Sequence, residues 1–238
     1  MEFAGIAPVT YDSVMNQMNR EDVLARPESA SKDQVRKVAR ELRSEIGADA
    51  RQAASHVIAK HVMDLVAMQN ALRDGGVVFC YVGAGDEVET LQLLEGLLQA
   101  GVRMCVPKMK GKPSKKTAGN MKAVEVTDLS VLKENEFGIL EPSKGAAFRG
   151  HPAVTITPGV GFTRGGCRLG QGGGYYDKYF KQHPLTVRVG LAFECQLFEN
   201  LPGGAAGWDE KVDMVVTEKA VYQRDEVAVE EDDLWEQT

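Results

Sequence analysis

The stretch Val77–Val82 (VVFCYV) is apolar throughout and is bounded by Gly75-Gly76 before it and Gly83 after it. A strand with one wet face alternates apolar and polar side chains, whereas a strand apolar at every position must be covered on both faces. This one run therefore points to a buried parallel strand, with helices on either side of its sheet. Further strands are expected at Val102–Val106, Ala123–Val126, Ala153–Thr157, Thr186–Phe193 and Val212–Thr217, with a short strand-like piece at Phe137–Leu140 and a polar helix before it. Strands alternating with helical stretches predict an α/β fold of three layers (αβα) around a mainly parallel sheet, in a single domain.

The helices announce themselves by caps and period. Ser31 and Gln34 have capping-box spacing, Gly47 marks a stop, and Val35, Val38, Ala39, Leu42 and Ile46 make one apolar stripe. Lys32, Arg36, Arg40 and Arg43 fall on a neighbouring strip, within roughly 80° of one another at 100° per residue. Four cations on one strip repel. Either water solvates that face or an anion answers it, and the spacing does not decide between them. A second helix is expected over Asp49–Leu72, with Ala54, Val57, Ile58, His61, Val62 and Leu65 inward, and a third over Glu87–Gln99, with Val88, Leu91, Leu94 and Leu98 inward. His56 and His61 have no evident partner.

Charge bounds the partners. The net charge of −6 comes from residues 225–238, which hold seven acidic side chains and no basic ones; without them the chain carries +1. A balanced body with local basic sites suits a small anionic ligand and argues against a nucleic acid. Residues 1–30 lack a period and make a poor mitochondrial presequence, so they read as a structureless leader before a domain over 31–222, and residues 223–238 as an acidic tail. The four cysteines are too dispersed for a zinc site, and no apolar run is long enough to span a bilayer. A monomer in the cytoplasm is expected, with a mitochondrial placement open. The six lysines of Lys108–Lys122 read as a mobile basic loop outside the site.

The chemistry concentrates in Thr157–Phe180 (TPGVGFTRGGCRLGQGGGYYDKYF), which leaves a strand, crosses a glycine-dense loop and enters an aromatic helix. Glycines let backbone amides approach an anion, and a helix N-terminus adds roughly half a positive charge. Gly170, Gly172, Gly173 and Gly174 can therefore cradle phosphate with Arg168 as a fixed cation, and Asp177 can hold magnesium. The stretch matches neither the P-loop nor the dinucleotide fingerprint. On this ground a structural turn and a phosphate cradle are equally good readings.

The longer string separates them. PGVGF followed by RLGQGGGYYDKY resembles the signature of the 5-formyltetrahydrofolate cyclo-ligase family. In the family's order the chain also shows KDQVR (Lys32–Arg36), a Ser55–Ile58 element, DEVET (Asp86–Thr90), FGILEP (Phe137–Pro142), FECQL (Phe193–Leu197) and Asp209 with VDMVVTE (Val212–Glu218). Four positions depart from the pattern, at Ala153, Thr163, Lys178 and Trp208.

The resemblance implies ATP- and magnesium-dependent conversion of 5-formyltetrahydrofolate, with or without a polyglutamate tail, to 5,10-methenyltetrahydrofolate through a phosphorylated formyl group. It implies that Lys32, Arg36, Arg168 and Gly170–Gly174 hold the ATP phosphates, Gln171 included, and that Asp177 and Asp209 bind Mg2+. It places Val82 and Glu87 on the folate, has Gln171, Gly172, Gly173, Gly174 and Tyr175 serve both ligands, puts Tyr176 on the ATP as well, and assigns catalysis to Arg168 and Tyr176. Arg40 and Arg43 are left to the surface. The alternative is a folate- or nucleotide-binding homologue without turnover.

Overall fold

In the computed structural model, which describes residues 18–109, 121–135, 138–203 and 210–224, the apolar run after Gly76 forms an interior strand of a seven-stranded sheet. The strand β1 (Val77–Cys80) pairs in parallel with β2 (Arg103–Met109) on one side and with β6 (Val154–Pro158) on the other. Beyond β6 lie β9 (Val187–Leu191) and β10 (Met214–Val216), also parallel. The edges are antiparallel: β3 (Met121–Val126) beside β2, and β11 (Val221–Gln223) beside β10.

Burial on both faces of β1 explains its composition. Val78 and Cys80 pack into one cluster with Ile58, Met68, Leu94 and Leu97, from the helices α3 (Ala48–Met63), α4 (Val66–Arg73) and α5 (Leu91–Gln99). Val77 and Phe79 face the other way, onto Tyr179 of α6 (Tyr175–Gln182), whose ring stacks on Phe79 at 4.5 Å between centroids. Each fully buried side chain of this size contributes about 1.5–3 kcal/mol, and alternate residues of one strand secure both helical layers. The three-layer αβα architecture is as the sequence predicts.

Several elements differ from expectation. Residues 18–30 of the leader are structured: α1 (Arg20–Ala25) starts on an Asn19–Asp22 capping box, buries Val23 and ties Arg20 to Glu45. A run this short shows no period, which is why it reads as structureless. The helix expected over Asp49–Leu72 is two helices. Leu65 takes an extended backbone to bury its side chain, and the Gln69 amide donates to the Met63 carbonyl that the break exposes (2.7 Å).

Helix α5 starts at Leu91, so Leu91 points to solvent while Leu93 and Leu97 join Leu94 inside. The polar helix expected before Phe137–Leu140 is a single turn followed by β4 (Leu132–Glu134), antiparallel to β5 (Leu140–Pro142). Lys108 and Lys122, expected in a loop, pair across β2 and β3. His61 lies against the Thr217 carbonyl (3.0 Å) and His56 against Gln92 (3.3 Å). Residues 110–120, Phe137, Trp208, Asp209 and the acidic tail lie outside the described residues.

Chain order places the site. After β1 the chain adds β2 and β3 to one side, then returns to add β6, β9, β10 and β11 to the other. The direction of winding thus reverses between β1 and β6, and ligands of open α/β sheets bind outside the carboxyl ends of strands at such a point.

Candidate functional site

A cavity of about 380 Å³ opens at that point, lined by Tyr81 and Val82 after β1, Pro158 and Gly159 at the end of β6, and the glycine loop. Lys32, Arg36, Val82, Glu87, Arg168, Gly170, Gln171, Gly172, Gly173, Gly174, Tyr175, Tyr176 and Asp177 all line it. Residues expected from motifs more than 130 positions apart thus meet around one space. Asp209 is the one predicted site residue outside the description.

The basic strip belongs to α2 (Lys32–Ser44), which is capped as expected by Ser31 and Gln34. Its stripe of Val35, Val38 and Ala39 packs on Val160, Leu169 and Phe198, which lays the helix beside the loop. Arg36 Nε donates to the Gly170 carbonyl (2.8 Å), and its Nη1 to Asp33 Oδ1 (2.6 Å). Arg40 Nη2 donates to Gln171 Oε1 at 2.6 Å. Arg43, assigned to the surface from sequence, is only 4% exposed and donates from Nη2 to Asp86 Oδ1 (2.6 Å). Its seven-residue spacing from Arg36 was the available signal, since two turns return to the same face.

The loop itself leaves β6 through Pro158 and runs through the hairpin β7 (Gly161–Phe162) and β8 (Arg168–Leu169). Thr163 closes that hairpin, its Oγ1 accepting from the Cys167 amide (3.1 Å), so this departure from the family pattern supports a turn and does not line the cavity. Gln196, of the FECQL element, holds the entry by donating to the Gly159 and Val160 carbonyls at 3.0 and 2.9 Å. Gly172 has φ +98 and Gly174, at the N-cap of α6, has φ +63. L side chains rarely adopt that backbone, so these two turns of the cavity-lining loop favour glycine.

Arg168 is 6% exposed. Its Nη2 donates to Asp177 Oδ1 (2.8 Å), its Nη1 to the Pro158 carbonyl (3.3 Å), and its guanidinium lies 5.5 Å from the Tyr176 ring centre. Its Nε has no partner among the described residues. A buried, half-satisfied guanidinium beside glycine amides is a donor set suited to a phosphate. For a divalent cation, no group of three or more metal-binding side chains occurs among the described residues. Magnesium commonly takes one or two carboxylates and completes its shell with phosphate oxygens and water, so Asp177 fits that mode.

Opposite, the Glu87 carboxyl caps the Ala84 amide through Oε2 (3.3 Å). Burial pushes its pKa above the usual carboxylate range, opposed by the Ala84 amide and Arg43. Burial, and then Glu87, push the Tyr176 and Tyr81 hydroxyls well above their ordinary values, so both are neutral donors at physiological pH.

The remaining wall was not foreseen. Pro107 and Met109 of β2, Met121 of β3, and Ile139 and Leu140 form an apolar face. Glu141 fixes its rim by accepting from the Met109 amide (3.0 Å). These residues carry no local signature; the cross-strand pairing of Met109 with Met121 brings them together.

Fold and cavity define a mainly parallel α/β protein with a cleft at the strand reversal, polar and rich in cations on one wall and apolar on the other. The model of the 5-formyltetrahydrofolate cyclo-ligase family matches residues 28–218. The 5-formyltetrahydrofolate cyclo-ligase of Escherichia coli K12 is 35% identical over 151 residues, 61% of this chain and 80% of that protein. The solution structure of Aquifex aeolicus 5,10-methenyltetrahydrofolate synthetase superposes with a TM-score of 0.69 at 28% identity, covering 82% of this chain and 93% of that one. The Mycoplasma pneumoniae 5,10-methenyltetrahydrofolate synthetase gives 0.60 at 19% identity, over 79% and 99%, a likeness of fold alone. The chain belongs to the 5-formyltetrahydrofolate cyclo-ligase family and is an enzyme. Among the described residues no helix is long and apolar enough to cross a membrane.

Proposed function

We propose that this chain closes 5-formyltetrahydrofolate to 5,10-methenyltetrahydrofolate at the expense of ATP, releasing ADP and phosphate. The observation that supports the reading is the meeting of the described site residues expected from these motifs around one cavity, with cations and the glycine loop on one wall and an apolar face on the other.

An N5 formamide is a poor electrophile. Transfer of the γ-phosphoryl group to the formyl oxygen turns that oxygen into a leaving group. N10 then attacks the formyl carbon and loses its proton, and the oxygen departs within the phosphate. Such chemistry needs positioning and charge neutralisation in place of a protein nucleophile. Lys32, Arg36, Arg168 and the Gly170–Gly174 amides would hold the phosphates, and Asp177, with Asp209, would carry Mg2+. Bound magnesium would supply positive charge to offset that of the phosphates. Val82 and Glu87 would hold the folate against the Met109–Leu140 face, with Gln171, Tyr175 and Tyr176 between the two ligands and the neutral Tyr176 hydroxyl donating to the reacting oxygen.

The test is the purified full chain with 5-formyltetrahydrofolate and Mg-ATP, followed by the near-ultraviolet absorbance of the methenyl product. An ATP-dependent rise is expected. No rise would overturn the proposal, and folate binding without turnover would mark a binding protein instead.

A further inference from the structure

Helix α2 reaches both halves of the cavity. Arg36 grips the glycine loop at the Gly170 carbonyl, and Arg43, two turns later on the same face, grips Asp86 on the opposite loop. At 1.5 Å per residue the two anchors stand about 10 Å apart on one rigid rod.

The loop that Arg43 holds runs from Gly83 to Thr90. Its base is closed by Thr90, whose Oγ1 accepts from the Gly83 amide (2.9 Å) and donates to the Tyr81 carbonyl (2.9 Å). Its far side is pinned by Ser55, which accepts from the Glu89 amide (3.0 Å). The crest carries Asp86 and Glu87 and turns through a Glu87 amide to Ala84 carbonyl bond of 3.2 Å. The Arg43–Asp86 pair is what ties this crest to the body of the helix layer.

Buried ion pairs give little net stability, because desolvation offsets the attraction. Arg43 compounds this cost, since its Nε is buried and has no partner among the described residues. A guanidinium kept in such a place calls for a role other than stability.

We propose that Arg43 is a positioning residue for Glu87: by clamping Asp86 it fixes the crest of the β1–α5 loop and aims the Glu87 carboxylate into the cavity. The proposal rests on the reading above, in which Glu87 contacts the folate. It makes α2 a brace that sets the spacing between the phosphate-side loop and the folate-side loop. Facing Glu87 are Arg43 from α2, Asp86 from its own loop, the Gln171 amide from the glycine loop, Tyr81 just after β1 and Tyr176 from α6. Arg43 favours the charged carboxylate and Asp86 opposes it.

Those opposed influences provide a test that local charge alone would fail. Arg43→Met removes the donor of the clamp and Asp86→Asn strips it of its ion pair; the first is expected to raise the KM for 5-formyltetrahydrofolate about tenfold and the second about threefold, while the KM for ATP stays within about twofold in both. The Glu87 pKa, read by carbon-13 NMR of labelled glutamate, is expected to rise in Arg43→Met and to fall in Asp86→Asn. Arg43→Lys is expected to recover part of the folate KM. A folate KM unchanged or lowered in Asp86→Asn would overturn the proposal, as would an ATP KM raised as much as the folate KM. Should Arg43→Met fail to fold, Asp86→Asn, which leaves Arg43 an acceptor, decides the matter. Absence of turnover in the unmodified protein would instead refute the underlying functional reading.

Discussion

The two walls of the cavity are made in different ways. The polar wall comes from short motifs, in which α2 offers Lys32 and Arg36 at helical spacing and one loop offers Arg168, the glycines and Asp177 in ten consecutive residues. The apolar wall is assembled from Pro107, Met109, Met121, Ile139 and Leu140, drawn from two strands and a separate hairpin. Charge that develops during a reaction can be answered only by groups already aimed at it, whereas an apolar ring needs area without direction. The polar wall should therefore govern turnover, and the apolar wall should govern affinity.

The largest effect expected of this contrast is at Asp177. Asp177→Ala should lower kcat by about 10²–10³-fold while circular dichroism and thermal melting show an intact fold. Near-normal turnover would end its assignment to the metal. A smaller effect is expected across the cleft, where Met109→Ala removes apolar contact without touching a charge. It should raise the folate KM about tenfold at nearly constant kcat, and a fall in kcat matching the rise in KM would erase the distinction between the walls.

The smallest effect separates function from stability. Burial raises the Glu87 pKa, so the folded state binds its proton more tightly than the unfolded chain does. That contribution to stability is present below the ordinary carboxylate pKa and is lost as pH rises through the raised value. Glu87→Gln should therefore melt about 2–4 °C higher than the parent at pH 7, with the gain vanishing in acid, even as folate affinity falls. A variant less stable at pH 7 would show that burial of this carboxyl carries no such cost.

The same contrast explains how much could be read from the sequence. The parallel strands at the heart of the sheet, the capped start of α2 and the predicted residues of the polar wall are local features, visible as apolar runs, caps and motifs. The apolar wall depends on register: Met109 opposite Met121 is a fact about strand pairing, and no window of sequence contains it. Arg43 failed for a related reason, since its burial depends on Asp86, a loop residue 43 positions away. The helix break at Leu65 was hidden because it contains neither glycine nor proline; burial of the leucine and rescue of the Met63 carbonyl by Gln69 produce it.

The bond from Arg36 to the Gly170 carbonyl spans 134 positions of chain. A ligand seated between α2 and the glycine loop therefore bridges segments that are neighbours only when nearly the whole domain has folded. Unfolded chains cannot offer that site, so its occupancy draws the population toward the folded form by mass action, by about 2.7 kcal/mol at a ligand concentration one hundred times Kd. The lifetime of the folded protein would then follow the supply of whatever ligand fills that site.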